Sequence, residues 1–281
     1  MNMKKNKHIL RSLVSVLKTK NIVPVQHIVD ENKLLNGHVA LITGGSGGIG
    51  MSIARGFLES GCNVIIAGTN EKKLKNCINA LDGLGGVVPL CLDLHSISDF
   101  ETIISEAEKY FGVIDILVNS AGVHSTKPMT DFFNTTEDEY DSIMNINLKG
   151  TYFITQTVAK RMIENKIRGH ILNISSSTAN EPAWSAYRLS KNGLDAFTKG
   201  LAQTLSSYGI IVNGIAPGST ATSLLDYKEG DTIATEDNII GRMIVPDEIA
   251  IYAKLFVSNL GNMVSGSVLY ISGGRGTFDI R

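Results

Sequence analysis

From Gly37 onward, short apolar runs alternate with longer segments whose apolar residues recur at helical spacing. His38-Val39-Ala40-Leu41-Ile42 is the first apolar run and leads into Thr43-Gly44-Gly45-Ser46-Gly47-Gly48-Ile49-Gly50. A helix is predicted from Met51 to about Ser60, with Ile53, Ala54, Phe57 and Leu58 on one face, and a strand over Asn63 to Gly68. Further helices are predicted over Glu71 to Leu81, Ser98 to Tyr110, Thr136 to Met162 (one long helical region), Ser185 to Tyr208 and Glu248 to Ser258. Further strands are predicted over Val87 to Leu92, Asp115 to Val118, Gly169 to Ile174, Ile210 to Ile215 and Ser267 to Ile271. Apolar strands alternating with helices imply a parallel sheet covered on both faces. The fold class is therefore α/β: a single Rossmann-type doubly wound domain with a seven-stranded parallel sheet over residues 36–281, plus an N-terminal helical extension over 1–35. In such sheets ligands bind outside the carboxyl ends of the strands. The unusual residues gather at those ends: Gly44 to Gly50, Asp93, Asn119 to Gly122, Ser175 to Ser177 and Pro217-Gly218.

The extension carries its own pattern. Ile9, Leu10, Leu13, Val14 and Leu17 fall on one helical face, with Lys5, Lys7, Arg11 and Lys18 elsewhere. The favoured reading is a helix packed on the body or on a second subunit; a basic amphipathic helix on a membrane surface is the less favoured one. Arg11 interrupts the apolar part and no small-residue cleavage site follows, which argues against a secretory signal. No run reaches the roughly 20 apolar residues of a membrane span. A formal net charge of −1 gives no reason to expect nucleic acid as a partner. The three cysteines, Cys62, Cys77 and Cys91, have no metal-ligand spacing, so no metal is expected. Their odd number predicts free thiols in a reducing compartment, and the expected location is cytoplasmic.

Two stretches carry chemistry. The glycines at 44 to 50 stand between a strand and a helix, where the backbone can turn tightly towards a pyrophosphate and the helix offers free N–H groups. Tyr187 and Lys191 stand one helical turn apart on one face. On a surface helix such a pair is ordinarily just solvated. Next to a substrate, an ammonium favours the phenolate and lowers the tyrosine pKa, which makes an acid–base group usable near neutral pH.

The spacing of Gly44, Gly48 and Gly50 after Thr43 resembles the Thr-Gly-x-x-x-Gly-x-Gly signature of the short-chain dehydrogenase/reductase family. Asp93 then matches the family's acidic residue that contacts adenine. Asn119-Ser120-Ala121-Gly122 is similar to its Asn-Asn-Ala-Gly turn, with serine at the second position. Asn147 matches the asparagine of the fourth helix, in preference to Asn145, which lies on a different face. Ser176 matches the catalytic serine, although the segment to Tyr187 is shorter than in many relatives and leaves Ser175 and Ser177 as rivals. Tyr187 and Lys191 match Tyr-x-x-x-Lys, and Pro217-Gly218-Ser219-Thr220-Ala221-Thr222 resembles the loop that holds the nicotinamide carboxamide.

The resemblance implies catalytic roles for Asn147, Ser176, Tyr187 and Lys191. It implies cofactor binding by Thr43, Gly44, Ser46, Gly48, Ile49, Gly50, Thr69, Asp93, Asn119, Ala121, Gly122, Tyr187, Lys191, Pro217, Gly218, Thr220 and Thr222. Tyr187 would protonate a carbonyl oxygen that receives hydride, Ser176 would donate a hydrogen bond to it, and Asn147 would order a water linking Lys191 to solvent. The end of the second strand, Ala67-Gly68-Thr69-Asn70, lacks the carboxylate of NAD-preferring relatives. Thr69, Asn70 and Lys72 or Lys73 could donate to a 2′-phosphate, so NADP(H) is favoured over NAD(H). The pattern is most similar to 3-oxoacyl-carrier-protein reductases and their relatives acting on sugars and small ketones. A polar lid is expected over 223–240, with Asp226, Lys228, Glu229, Asp231, Glu236 and Asp237. The family is often tetrameric, which implies a homotetramer or dimer. The rival function is a catalytically silent NAD(P)-binding sensor or scaffold.

Overall fold

The computed structural model describes residues 33–124 and 132–275. The amphipathic segment read in the N-terminal extension lies outside them. Chain order runs β1 (Val39–Thr43), α1 (Gly48–Leu58), β2 (Asn63–Gly68), α2 (Glu71–Ala80), β3 (Val87–Cys91), α3 (Phe100–Phe111) and β4 (Ile116–Asn119). It continues with α4 (Glu137–Met144), a π-helical turn (Asn145–Gly150), α5 (Thr151–Glu164), β5 (His170–Ile174), α6 (Ala186–Leu205), β6 (Ile211–Pro217), α7 (Pro246–Phe256) and β7 (Val268–Ile271). The strands form one sheet in the order β3-β2-β1-β4-β5-β6-β7, all parallel.

Alternate residues of each strand serve opposite faces, and both faces are buried. Ile42, Ile66, Val118 and Ile215 join Ile53 and Phe57 of α1 and Ile249 and Phe256 of α7. Their strand neighbours Leu41, Ile65, Leu117 and Val212 join Ile104 of α3, Val158 and Met162 of α5 and Leu205 of α6. Leu35 is fully buried in the first cluster, and its N–H donates to the Ser60 carbonyl at 2.9 Å, which ties the segment before β1 to the end of α1. Among the described residues no helix is long and apolar enough to cross a membrane.

Three predicted elements differ in detail. Helix α1 begins at Gly48, three residues before the expected Met51 and inside the glycine turn. The long helix expected over 136–162 is two α-helices joined by the π-turn at Asn145–Gly150. A π-turn takes up about one extra residue, and a single such slip is too small a break in the apolar pattern for periodicity to reveal it. The last helix begins two residues earlier than predicted, at Pro246, whose fixed φ and missing N–H suit a first helical position. The Glu248 side chain reaches back to the Val245 N–H at 3.0 Å. Paired with Arg242, the Glu248 carboxyl is held down to about 2.

Candidate active site

Strand order reverses between β1 and β4, the place where a doubly wound sheet opens a crevice at the carboxyl ends of its strands. Gly44 sits at φ +63°, and a Cβ on it would lie 2.6 Å from Ala121 Cα, so the loops after β1 and β4 meet backbone to backbone. A Cβ on Gly50 would lie 2.5 Å from the Gly44 carbonyl oxygen, and one on Gly48 2.5 Å from Thr222 Cγ2. The loop after β6 thus covers the glycine turn. Helix α1 starts at Gly48, with no acidic residue in its first turn to repel an anion. This bare, left-handed turn feeding a helix N-terminus fits the pyrophosphate of a dinucleotide.

Several residues expected to touch a cofactor are turned inward instead. Thr43 is 2% exposed, and its Oγ1 accepts from the N–H groups of Ser120 and Ala121 at 3.2 and 3.3 Å. Asn119, also 2% exposed, donates Nδ2 to Thr155 Oγ1 and Asn173 Oδ1, both at 2.8 Å. These side chains fasten the turns that line the crevice and do not face it. Pro217 ends β6, the Gly218 N–H donates to Ile271 O at 2.8 Å, and Thr220 Oγ1 donates to the Gly218 carbonyl at 2.9 Å. Ile49 packs at the edge of the core, and Ser46 lies beside Gly68, whose Cβ would sit 3.3 Å from Ser46 Oγ. Thr69 is exposed, and Asn70 caps α2 by accepting from the Lys73 N–H at 2.9 Å. Exposed Asp93 accepts from the His95 backbone N–H and pairs with its ring Nδ1, both at 2.9 Å. The backbone bond is the main reason its carboxyl is held below the usual range.

Ser185 caps α6 by accepting from the Arg188 N–H at 3.3 Å, which places Tyr187 in the first turn facing the end of β5. Of the three consecutive serines, Ser176 is the one whose hydroxyl acts on the Tyr187 phenol, favouring its ionised form. Its Oγ also meets Thr178 Oγ1 at 2.9 Å. Ser175 instead donates to the Lys191 backbone carbonyl at 3.3 Å, and Ser177 is buried in a short turn. Lys191 is 5% exposed; its Nζ lies 5.8 Å from the Tyr187 ring centroid and donates to the Ile174 carbonyl at 2.9 Å. The π-turn carries Asn147 inward, where its Nδ2 donates to Val123 O at 2.8 Å and to Ser190 Oγ at 3.1 Å, and its Oδ1 accepts from the Val123 N–H at 2.8 Å. Gly122 lies between them: its Cβ would be 3.4 Å from Asn147 Oδ1 and 3.5 Å from Lys191 Nζ. The structure therefore brings Asn147, Ser176, Tyr187 and Lys191 together around the loop after β4.

The electrostatics differ from the sequence expectation. Burial raises the Tyr187 pKa, while the Ser176 hydroxyl and the charge of Arg275 pull it back down. Burial also lowers Lys191 to about 8, with Asp195 opposing that shift. Desolvation, which a sequence does not display, outweighs the pairing of phenol and ammonium.

Two neighbours escaped the motif reading. His124 stands edge-on to Tyr187 with ring centroids 6.3 Å apart, and its Nε2 meets the Leu224 carbonyl at 2.7 Å, joining the β4 loop to the lid. Arg275, directly after Gly273-Gly274, reaches the same rim. Their only sequence signal is position, just beyond recognisable glycine turns.

The chain matches the short chain dehydrogenase family over residues 38–232. It is 32% identical over 246 residues to the L-rhamnose 1-dehydrogenase (NADP(+)) of Thermoplasma acidophilum, covering 85% of this chain and 96% of that protein. It is 34% identical over 245 residues to the 3-oxoacyl-[acyl-carrier-protein] reductase of Rickettsia felis, covering 85% and 97%. The crystal structure of the 3-ketoacyl-(acyl-carrier-protein) reductase of Brucella melitensis, complexed with NADH, superposes with a TM-score of 0.77 at 29% identity, covering 86% of this chain and 99% of that one. With its glycine cradle facing Ser176, Tyr187 and Lys191, the chain belongs to the short-chain dehydrogenase/reductase family, NAD(P)-dependent oxidoreductases acting on CH–OH and C=O groups.

Proposed function

We propose that the protein reduces a ketone with NADPH, taking a 3-oxoacyl, sugar or small-ketone substrate, with Tyr187 as the proton donor. The observation that carries this reading is the grouping of Tyr187 and buried Lys191 with Asn147 and Ser176 around the loop after β4, at the crevice the glycine cradle opens on. The bound cofactor supplies the hydride. Tyr187 gives its proton to the oxygen as negative charge grows there, and a phenol whose pKa burial has raised stays protonated until that moment. Ser176 donates to the same oxygen. Lys191 and Tyr187 line the nicotinamide side of the crevice. Asn147 fixes the 122–123 turn, and its Oδ1 has a free lone pair for a water on the path to Lys191. Alcohol oxidation is the same chemistry reversed, with Tyr187 as base.

The cradle at 44–50 holds the pyrophosphate, and Asp93 stands at the adenine end. Thr69, Ser46 and Lys72 surround the position of a 2′-phosphate, where no carboxylate stands to repel it, which supports NADPH over NADH. An NADP(+) enzyme among the relatives supports the same choice. The free cysteines support a cytoplasmic location, and the oxidoreductase domain is taken as 36–281. Exposed apolar faces on α5, α6 and α7 support a homotetramer.

The test has two parts. Fluorescence titration should give tighter binding of NADPH than NADH, and a ketone panel should show NADPH-linked turnover. Tyr187→Phe should cut turnover by at least ~10³-fold while NADPH affinity stays within about threefold. Turnover that survives Tyr187→Phe would show that another group donates the proton, and NADPH binding without turnover of any carbonyl would favour a sensor.

A further inference from the structure

At the rim above Tyr187, one side chain joins segments far apart in sequence. Arg275 Nε donates to Glu181 Oε1 at 3.0 Å, and its Nη1 donates to Ser219 Oγ at 3.3 Å and lies 3.4 Å from Asp237 Oδ2. Ser219 Oγ in turn donates to Asp237 Oδ2 at 2.5 Å. The other Glu181 oxygen pairs with Arg188 Nη2 at 2.8 Å. Arg188, the residue after Tyr187, also donates to the Pro182 carbonyl at 3.1 Å and lies over Trp184 at 5.2 Å. Glu181 belongs to the shortened connection between Ser176 and Tyr187. Ser219 follows the Pro217-Gly218 turn, and Asp237 belongs to the lid.

Only a planar, forked cation can serve these partners at once. The side chains of Glu181, Arg188 and Arg275 are 16%, 11% and 20% exposed, so the loop side of the network is largely desolvated, while Asp237 on the lid side is 50% exposed. Two arginines face two carboxylates, so the cluster leaves little free charge for an anionic ligand and is built to hold its segments together.

Resting on the proposed ketone reduction, we propose that Arg275 is a positioning residue: it clamps the lid and the 176–187 loop to the end of β7 and thereby sets the Ser176–Tyr187 geometry. The fork fixes Glu181, Glu181 fixes Arg188, and Arg188 fixes the first turn of α6 that carries Tyr187. On the other side it holds Ser219 and Asp237, so lid closure and alignment of the proton donor are one event. The charge of Arg275 also favours the phenolate. The remaining ionisable groups around Tyr187 are Lys191 and Arg188 on α6, Glu181 in the loop, His124 after β4 and Asp237 in the lid.

The experiment compares native protein, Arg275→Gln and Arg275→Lys in two arms. The first, hydrogen exchange with NADPH bound, needs no turnover. Arg275→Gln should speed exchange at least fivefold in both 177–186 and 223–240, with a smaller effect from lysine. Unchanged exchange, or a change confined to the lid, overturns the clamp. The second arm is kinetic. Arg275→Gln should lower kcat at least tenfold with KM for NADPH unchanged, and should move the basic limb of ketone reduction to higher pH. Arg275→Lys should keep the native limb, because the charge remains, and recover only part of kcat, because the fork is gone. Native kcat and native pH profile in a folded Arg275→Gln protein overturn the proposal. If the native protein turns over no ketone, the proposed function fails instead, and the exchange arm still decides the clamp.

Discussion

Lys191 carries an ammonium into a site where it is 5% exposed, with one carbonyl, that of Ile174, as its hydrogen-bonded acceptor. Its pKa is pushed down from 10.5 to about 8, a shift that corresponds to ~3 kcal/mol of destabilisation of the charged form. Below pH 8 both folded and unfolded chains hold the proton, so the folded state bears the full penalty. Between about 8 and 10.5 the unfolded chain binds more protons, so stability rises with pH across that window. Lys191→Met should therefore abolish turnover yet stabilise the cofactor-free protein at pH 7 by a net ~1–2 kcal/mol once the orphaned Ile174 carbonyl is allowed for, seen as a higher thermal midpoint. By pH 10 the gap should have narrowed. Differential scanning calorimetry of both proteins at the two pH values checks this, and a methionine variant less stable at pH 7 would show that the ammonium is well solvated by its surroundings. Neither the shift nor the raised phenol pKa was legible in the sequence. A Tyr-x-x-x-Lys spacing shows who the neighbours are, whereas the sign of the shift depends on how much water the fold removes.

At the scale of elements, the strands and the glycine turn were readable because each is a local pattern. Uninterrupted apolar runs such as Ile65-Ile66 and Leu117-Val118 fit only strands buried on both faces, and glycines at 44 and 50 mark a place where backbone must touch backbone. The π-turn was not readable, and it is what carries Asn147 to Val123 and Ser190. Gly150 permits it: a Cβ there would lie 2.5 Å from the Leu94 carbonyl oxygen and 3.0 Å from that of Asn145. Gly150→Ala should force the start of α5 away from Leu94, lower stability by ~2–4 kcal/mol and reduce kcat by at least tenfold as Asn147 leaves its partners. Gly200→Ala on α6, where nothing lies within 4 Å, is the control and should stabilise by ~0.5–1 kcal/mol. Denaturant unfolding and kcat of the two variants separate the cases; equal, small effects would mean that the π-turn tolerates a methyl group. The Arg275 clamp was likewise hidden, because its partners at 181, 219 and 237 become neighbours only when three strand ends are brought to one rim.

Among the described residues, two apolar surfaces stand exposed. One lies on α5 and α6, where Tyr152 is 44% exposed and rests against Phe153 and Phe197 with ring centroids 5.2 and 5.0 Å apart. The other runs along α7 and the edge of the sheet: Ile251 is 61% exposed, Tyr252 41% and Met263 96%, beside the unpaired edge of half-buried β7. The opposite edge strand, β3, carries Pro89, which cannot donate to a further strand and so discourages edge pairing there. Among the described residues no such device lies on β7, and its edge position and flanking apolar side chains suit a second copy of the chain. Two different self-complementary patches on one subunit generate a tetramer with three perpendicular two-fold axes. Sedimentation velocity at micromolar concentration should therefore give a tetramer for the native chain. Tyr152→Glu should stop assembly at a dimer through the α7–β7 surface, and Ile251→Glu at a dimer through the α5–α6 surface. The double variant should be monomeric, since each charge would be buried without a partner. A native monomer would remove the assembly altogether, and a tetramer that survives Tyr152→Glu would show that the α5–α6 face is simply solvent-exposed.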